Sequence, residues 1–197
     1  MKKYSKREAI NIVVQAAKDY HLKYNQRRFL IAYQNNEGNF SAEEASFTAQ
    51  NFLHLTGFKT SLCADVFYNA CLHGKLSEND FRFDDYGNTH RKLSVLPHLK
   101  NLLYGKGLVG EFTTTGIRLH ADYFVGDSRG SMCLGFKRVK NTSFPSTLYQ
   151  GTIREVSEST FKILAVFAKE YKSNVYEECV YIANNQNVDS IRTKLGI

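Results

Sequence analysis

His54 and Thr56 stand two residues apart in the stretch Asn51-Phe52-Leu53-His54-Leu55-Thr56-Gly57-Phe58-Lys59, set among apolar neighbours and closed by a glycine and a lysine. An imidazole beside a hydroxyl at the mouth of a core is a group able to move protons next to a group able to donate a hydrogen bond. In an extended segment alternate side chains share a face, so the spacing predicts that His54 and Thr56 point together while Leu53 and Leu55 face away. Gly57 then permits a turn into a helix expected to start at Thr60 or Ser61.

The chemistry open to this chain is acid–base chemistry without a metal. The six histidines form no HxxxH or HExxH pair and the four cysteines no CxxC pair, so metal-ligand spacing is absent. P-loop, GxGxxG and GxSxG patterns are absent as well. Cleaving RNA through its own 2′-hydroxyl needs a group to take the 2′ proton, a group to protonate the leaving 5′ oxygen, and a cation to steady the phosphorane. Histidine suits either proton role and arginine the third. The candidates are His54, Lys59, Arg154, Ser131 and Thr56. Each also has a structural reading. His54 could be a hydrogen-bonded histidine of an apolar run, and Arg154 could pair with Glu155 or Glu158 on a helical turn. Ser131 could be a turn residue, and Thr56 a helper for the helix that follows. His120 is the rival histidine. It alternates with Arg118 and Asp122, as in a strand lining a cleft.

Several elements must position these residues. Ser5-x-x-Glu8 is a capping-box pattern, and Ile10, Val13, Val14, Ala17, Tyr20, His21 and Tyr24 follow at helical spacing. Phe29–Tyr33 reads as a strand, turned at Asn35–Asn39 and returned by a second strand within Phe40–Ala49. A helix is expected over Ser61–His73, with Leu62, Val66, Phe67 and Ala70 inward, and a further helical run over Thr89–Tyr104 that Pro97 kinks or restarts. Strands are expected at Leu108–Thr113, Ile117–Val125 and Ser131–Val139, joined by Thr114-Thr115-Gly116 and by residues 126–130. Residues 140–158 read as a long polar loop with at most one turn of helix, Phe161–Ala168 and Val175–Ala183 as a hairpin, and 184–197 as a loosely held tail or short helix. With no repeat or linker, a single α+β domain over 1–197 is the economical arrangement.

Composition narrows the partners. A hydrophobic content of 43% excludes a disordered chain, and no apolar run reaches membrane-spanning length. The basic N-terminus is not expected to be a signal peptide, since Gln15, Lys18 and Asp19 break the apolar stretch after it. Of the formal net charge of +7, residues 1–28 hold +6, from eight Lys and Arg against two acids. A basic first helix ending in Arg27 and Arg28 suits a polyanion, and equally a solvated helix face. Cys63, Cys71, Cys133 and Cys179 each lie in apolar runs, so buried free thiols in a reducing, cytoplasmic setting are expected.

The segment Phe52-Leu53-His54-Leu55-Thr56-Gly57, followed by Phe67-Tyr68-x-x-Cys71-Leu72-x-x-Lys75-Leu76-Ser77, resembles a phage-associated nuclease family of the Barnase–EndoU–colicin–RelE fold. The likeness continues through Leu93-x-Val95-Leu96-Pro97, Cys133-Leu134-Gly135-Phe136, Ile153-Arg154 and Ile163–Phe167. It implies N-terminal helices packed on a curved antiparallel sheet whose open face holds the active site, and metal-independent cleavage of RNA in a toxin-like or phage-conflict role. The matching positions are His54, Thr56, Arg154 and Ser131, with Lys59, Arg118, His120, Arg27 and Arg28 as expected substrate contacts. No cofactor and no metal are implied. RNA is the expected partner, and a cognate inhibitor or antitoxin protein would suit such an enzyme. The alternatives are a non-catalytic RNA- or protein-binding module of the same fold and a thiol-dependent enzyme.

Overall fold

The computed structural model describes residues 2–35, 37–113 and 119–197. Helix α1 (Lys6–Lys23) starts as its capping box predicts: the Glu8 amide donates to Ser5 Oγ at 3.2 Å and the Ser5 amide to Glu8 Oε2 at 2.8 Å. Its buried face is Ala9, Val13, Ala16, Ala17 and Tyr20. Strands β1 (Arg27–Gln34) and β2 (Phe40–Phe47) form the expected hairpin.

The stretch after the hairpin departs from expectation. It is helix α2 (Ala49–Thr56), not an extended segment. Phe52, Leu55 and Thr56 are buried at the i, i+3, i+4 spacing of one helix face, and this spacing outweighs the local alternation. The Thr48 amide donates to Asn51 Oδ1 at 2.8 Å, which satisfies the amide that precedes the helix. Residues two apart on a helix lie on different faces. Accordingly His54 is exposed and Thr56 fully buried.

Helices α3 (Ala64–Leu72) and α4 (Asn88–Val95) follow, the latter running into a 3-10 helix, Leu96–Tyr104, with Pro97 in its first turn. On α3 Phe67 is buried as expected, but Val66 is 53% exposed. The remaining strands are β3 (Gly107–Glu111), β4 (Tyr123–Asp127), β5 (Met132–Val139), β6 (Thr142–Gln150), β7 (Thr160–Glu170) and β8 (Glu178–Ile182). The predicted turn at Thr114–Gly116 and the first two residues of the predicted strand Ile117–Val125 lie outside the described residues.

Strand β6 replaces about half of the predicted polar loop 140–158. Its Pro145 sits where the β5–β6 register shifts, opposite Phe136, a position that tolerates a residue without an amide donor. The sheet order is β1-β2-β6-β5-β4-β3-β7-β8, and β1 also pairs with β7. Seven strands therefore close into a barrel rather than an open curved sheet, with β8 attached to β7. Closure depends on the length of β7. One edge of it pairs with β1, while the other takes β3 at Thr160–Lys162 and β8 at Ala165–Ala168. The β2–β6 seam is parallel and has one paired position, Ala45 opposite Ser143. Side chains reinforce it: Ser143 Oγ donates to the Glu44 carbonyl at 2.8 Å and accepts from the Tyr123 hydroxyl at 2.6 Å.

The principal core lies between the helices and this sheet and is rich in aromatic rings. Tyr24 packs on Phe47 at 4.9 Å and Phe52 on Tyr68 at 5.5 Å edge-on, between ring centroids. Tyr20 donates to the Thr48 carbonyl at 2.9 Å, tying α1 to the start of α2. Residues 184–197 are held more firmly than a loose tail, since α5 (Val188–Leu195) buries Ile191 in a smaller core with Phe167 and Tyr176. The thiols, all free, meet the expectation of burial in part. Cys71 and Cys133 are buried, Cys179 is half-buried and Cys63 is exposed. Among the described residues no helix is long and apolar enough to cross a membrane.

Candidate active site at two adjoining clefts

The end of α2 shows what the hexapeptide around His54 does. Thr56 Oγ1 donates to the Leu53 carbonyl at 2.8 Å and accepts from the Phe58 amide at 3.2 Å. Gly57 follows at φ 73°, the left-handed conformation that ends a helix and that glycine adopts without penalty. A Cβ at Gly57 would also come within 3.0 Å of the Lys92 side chain and 3.2 Å of Thr89 Cα. This close approach lets α4 pack against the turn. Thr89 Oγ1 donates to the Gly57 carbonyl at 2.7 Å and Lys92 Nζ to the His54 carbonyl at 2.6 Å. Thr56 is therefore committed to the backbone.

Beyond Gly57 the chain pairs with a distant segment. Lys59 and Arg82 exchange both backbone hydrogen bonds, at 3.0 and 2.8 Å, in an isolated antiparallel bridge. Directly opposed residues project to the same side, so two exposed cations stand together. The neighbouring rings of Phe58 and Phe81 stack at 4.0 Å and are buried. Alternation thus sends the aromatics inward and the cations outward.

Two clefts meet at this bridge. The first, about 620 Å³, lies between the helical layer and β6, and its lining includes Lys59, Arg82, Arg91, Lys92 and Tyr149. The second, about 770 Å³, shares Gly57, Lys59, Arg82 and Lys92 with the first and adds Leu53 and His54 from α2. Burial lowers the Lys92 pKa to about 8, with Asp84 opposing that shift and Lys59 adding to it. Burial would raise the Asp84 carboxyl, but hydrogen bonds from the Thr89 and Asn88 amides bring it below the usual value. Asp84 therefore stays ionised beside Lys92. Burial, followed by the hydrogen bond to Glu155, raises the Tyr149 phenol to about 12. Four cations against Asp84 and Asp85 leave the first cleft with an excess of positive charge.

The other sequence-predicted residues lie elsewhere or are engaged. Arg154 is exposed on the short 3-10 turn Ile153–Glu155 and lines neither cleft. Its neighbour Glu155 accepts from the Tyr149 hydroxyl at 2.8 Å. Ser131 donates its hydroxyl to Asp127 Oδ2 at 2.7 Å in the β4–β5 turn. Arg27 pairs with Glu178 and donates to the Tyr104 hydroxyl, while Arg28 pairs with Glu44 and lies over the Tyr171 ring. His120 is exposed and lines neither cleft; Arg118 lies outside the described residues. His54 and Lys59 are brought together on the wall of the second cleft. Sequence reasoning missed Arg82, Arg91, Lys92 and Tyr149. For Arg82 a signal existed, because Phe81-Arg82-Phe83 alternates in the manner of a segment with one buried and one exposed face.

Fold and site together define an α+β protein with a cation-lined cleft. The family described as phage-Barnase-EndoU-ColicinE5/D-RelE like nuclease 4 matches residues 12–185, and the chain belongs to that family. Comparison with curated proteins and with solved structures returned no match.

Proposed function

We propose that this protein is a metal-independent endoribonuclease that cleaves RNA at the junction of the two clefts. The observation that carries this reading is the bridge that holds Lys59 against Arg82, with Lys92 beside them. Opposed like charges cost stability in an empty protein, and an incoming phosphate turns that cost into attraction. Membership of a nuclease family supports the same reading.

In this mechanism the scissile phosphate lies over Lys59, Arg82 and Lys92, with Arg91 on an adjoining phosphate. A base removes the 2′ proton, the 2′ oxygen bonds to phosphorus, and the bond to the 5′ oxygen breaks as that oxygen takes up a proton. The products are a 2′,3′-cyclic phosphate and a 5′-hydroxyl. His54, on the wall of the second cleft, is the proton-transfer group, and the side-chain cations steady the phosphorane without a metal. A cytoplasmic, toxin-like role in phage–host conflict belongs to the same reading, supported by the phage association in the family's description.

The test is incubation of the purified protein with mixed RNAs in chelator, followed by analysis of the 3′ ends. Cyclic phosphate formed by the wild type and lost in His54→Ala, with folding intact, is the expected result. Binding without cleavage would make the protein a non-catalytic RNA-binding module of this fold. Cleavage unchanged in His54→Ala would remove the histidine from the mechanism.

A further inference from the structure

Tyr86 is 85% exposed, the most exposed of the large hydrophobic side chains and the only aromatic among those described as exposed. The others, Leu22, Val66, Val139, Val175 and Ile197, are aliphatic and line neither cleft, whereas Tyr86 lines the first. Among the described residues nothing stacks on its ring or bonds to its hydroxyl.

The loop that carries this ring is nonetheless well tied. Asp84 Oδ2 accepts from the Tyr86 amide at 3.3 Å and Asp84 Oδ1 from the Thr89 amide at 2.6 Å. The Asp84 amide in turn donates to Thr89 Oγ1 at 3.0 Å. One carboxylate thus fixes the loop from both ends, and Gly87, at φ 77°, turns it directly into α4. The same α4 supplies Arg91 and Lys92 to the cleft. A well-tied loop that leaves a large ring in water, in the lining of the same cleft as cations that suit phosphates, matches the two components of single-strand recognition. These are a positive groove for the backbone and an aromatic face for a base.

Resting on the nuclease reading, we propose that Tyr86 is the stacking platform for an unpaired base of the substrate, which makes single-stranded RNA the class this cleft accepts. In a duplex the faces of the bases are already covered by their neighbours, so Tyr86 has no face to meet. Leu119 and Tyr149 add apolar and aromatic surface to the lining of the same cleft.

The test measures binding of a fluorescein-labelled 12-nucleotide RNA, alone and as a duplex, by anisotropy with wild type, Tyr86→Ala and Tyr86→Phe. A thermal melt confirms that each variant folds, as expected for so exposed a side chain. Tyr86→Ala should weaken single-strand binding on the order of tenfold, leave duplex binding unchanged, and be rescued by Tyr86→Phe. An abasic nucleotide at the stacked position should weaken wild-type binding by a similar factor and leave Tyr86→Ala indifferent. Equal loss on single strand and duplex, no loss in Tyr86→Ala, or failure of Tyr86→Phe to rescue would each overturn the assignment. If wild type binds neither RNA, the nuclease reading itself fails. If it binds and Tyr86→Ala matches it, only the stacking role fails.

Discussion

Lys59 and Arg82 face each other across a single antiparallel bridge, 23 positions apart in sequence, with their backbones exchanging both hydrogen bonds. The Phe58–Phe81 stack already supplies the apolar contact that holds the segments together, and an opposed like-charge pair works against it by roughly 0.2–1 kcal/mol. On the proposed function, an incoming phosphate offsets that repulsion.

Replacing one of the pair should therefore separate stability from function. Lys59→Glu converts repulsion into an ion pair with Arg82 and should raise the free energy of unfolding, measured by urea titration, by up to about 1 kcal/mol. The same change should abolish RNA binding and cleavage. A variant that gains stability and keeps full activity would show that this bridge does not hold the substrate.

Neutral substitutions report on phosphate contact in a different way. Lys59→Ala and Arg82→Ala should each weaken binding of single-stranded RNA and shallow the slope of log affinity against log salt by about 0.7. Arg27→Ala should leave that slope unchanged, because Arg27 is already engaged with Glu178 and Tyr104. Titrations at four salt concentrations distinguish the two groups.

His54 and Thr56 differ as targets although they share one helical turn. His54 is exposed, so His54→Ala should shift unfolding free energy by less than about 0.5 kcal/mol. Thr56 is fully buried and bonds to Leu53 and Phe58, so Thr56→Val should cost about 1–3 kcal/mol by leaving the Phe58 amide unsatisfied. Denaturant titration of both variants checks the pair. Equal losses would mean that the imidazole is part of the packing.

These contrasts show how far the sequence could be read. The capping box at Ser5 and Glu8 and the β1–β2 hairpin were legible because their signals are local and consistent with the tertiary structure. The helix α2 is hidden in the sequence because apolar residues flanking His54 alternate over a few positions, while what decides the matter is the burial of Phe52 and Leu55, with Phe52 packed on the distant rings of Tyr20 and Tyr68. Strand β6 was hidden by Pro145, which is tolerated only because the β5–β6 register shifts there. At the site, His54 and Lys59 were visible, being part of one short stretch. Arg82 and Lys92 reach the cleft through the bridge and through α4; the alternation Phe81-Arg82-Phe83 shows that Arg82 is exposed, but no spacing records its pairing with Lys59 or the approach of Lys92.

Alkaline pH should unfold the protein through its buried acids. Burial raises the Cys71 and Cys133 thiols from about 9 to about 12, and the Tyr68 phenol also to about 12. Each folded pKa lies above its unfolded value, so this stability is complete below the unfolded pKa and is lost as pH rises toward the folded one. By pH 10.5 each thiol should account for about 2 kcal/mol of lost stability. Lys92 acts in the opposite direction. Its folded pKa of about 8 lies below the unfolded value, so its burial cost is relieved between about pH 8 and pH 10.5. The sum should be a melting temperature that rises modestly between pH 8 and 9, where only Lys92 contributes, and falls above about pH 9, where the two thiols outweigh the one lysine. Cys71→Ala should flatten that fall, and an unchanged alkaline limb would mean that the thiols ionise freely in the fold.

Gly57→Ala tests the connection between the hexapeptide and the clefts. The substitution meets two obstacles. Alanine at φ 73° costs about 1–2 kcal/mol in backbone strain, and its Cβ presses on Lys92 Cδ at 3.0 Å and Thr89 Cα at 3.2 Å. The lysine end is flexible, but the Thr89 backbone is fixed by the bonds from Thr89 to Gly57 and to Asp84. Movement should therefore fall on Lys92, displacing its ammonium from the His54 carbonyl and from the phosphate position. The expected outcome is a loss of about 2 kcal/mol in stability together with a fall in cleavage that persists at temperatures where the variant is fully folded. Replacing Gly74, which also has positive φ but meets nothing within 4 Å, supplies the control. Gly74→Ala should lose similar backbone stability and keep its activity. If both variants cleave RNA equally well, the turn at Gly57 matters to the fold alone and Lys92 is not held in place by it.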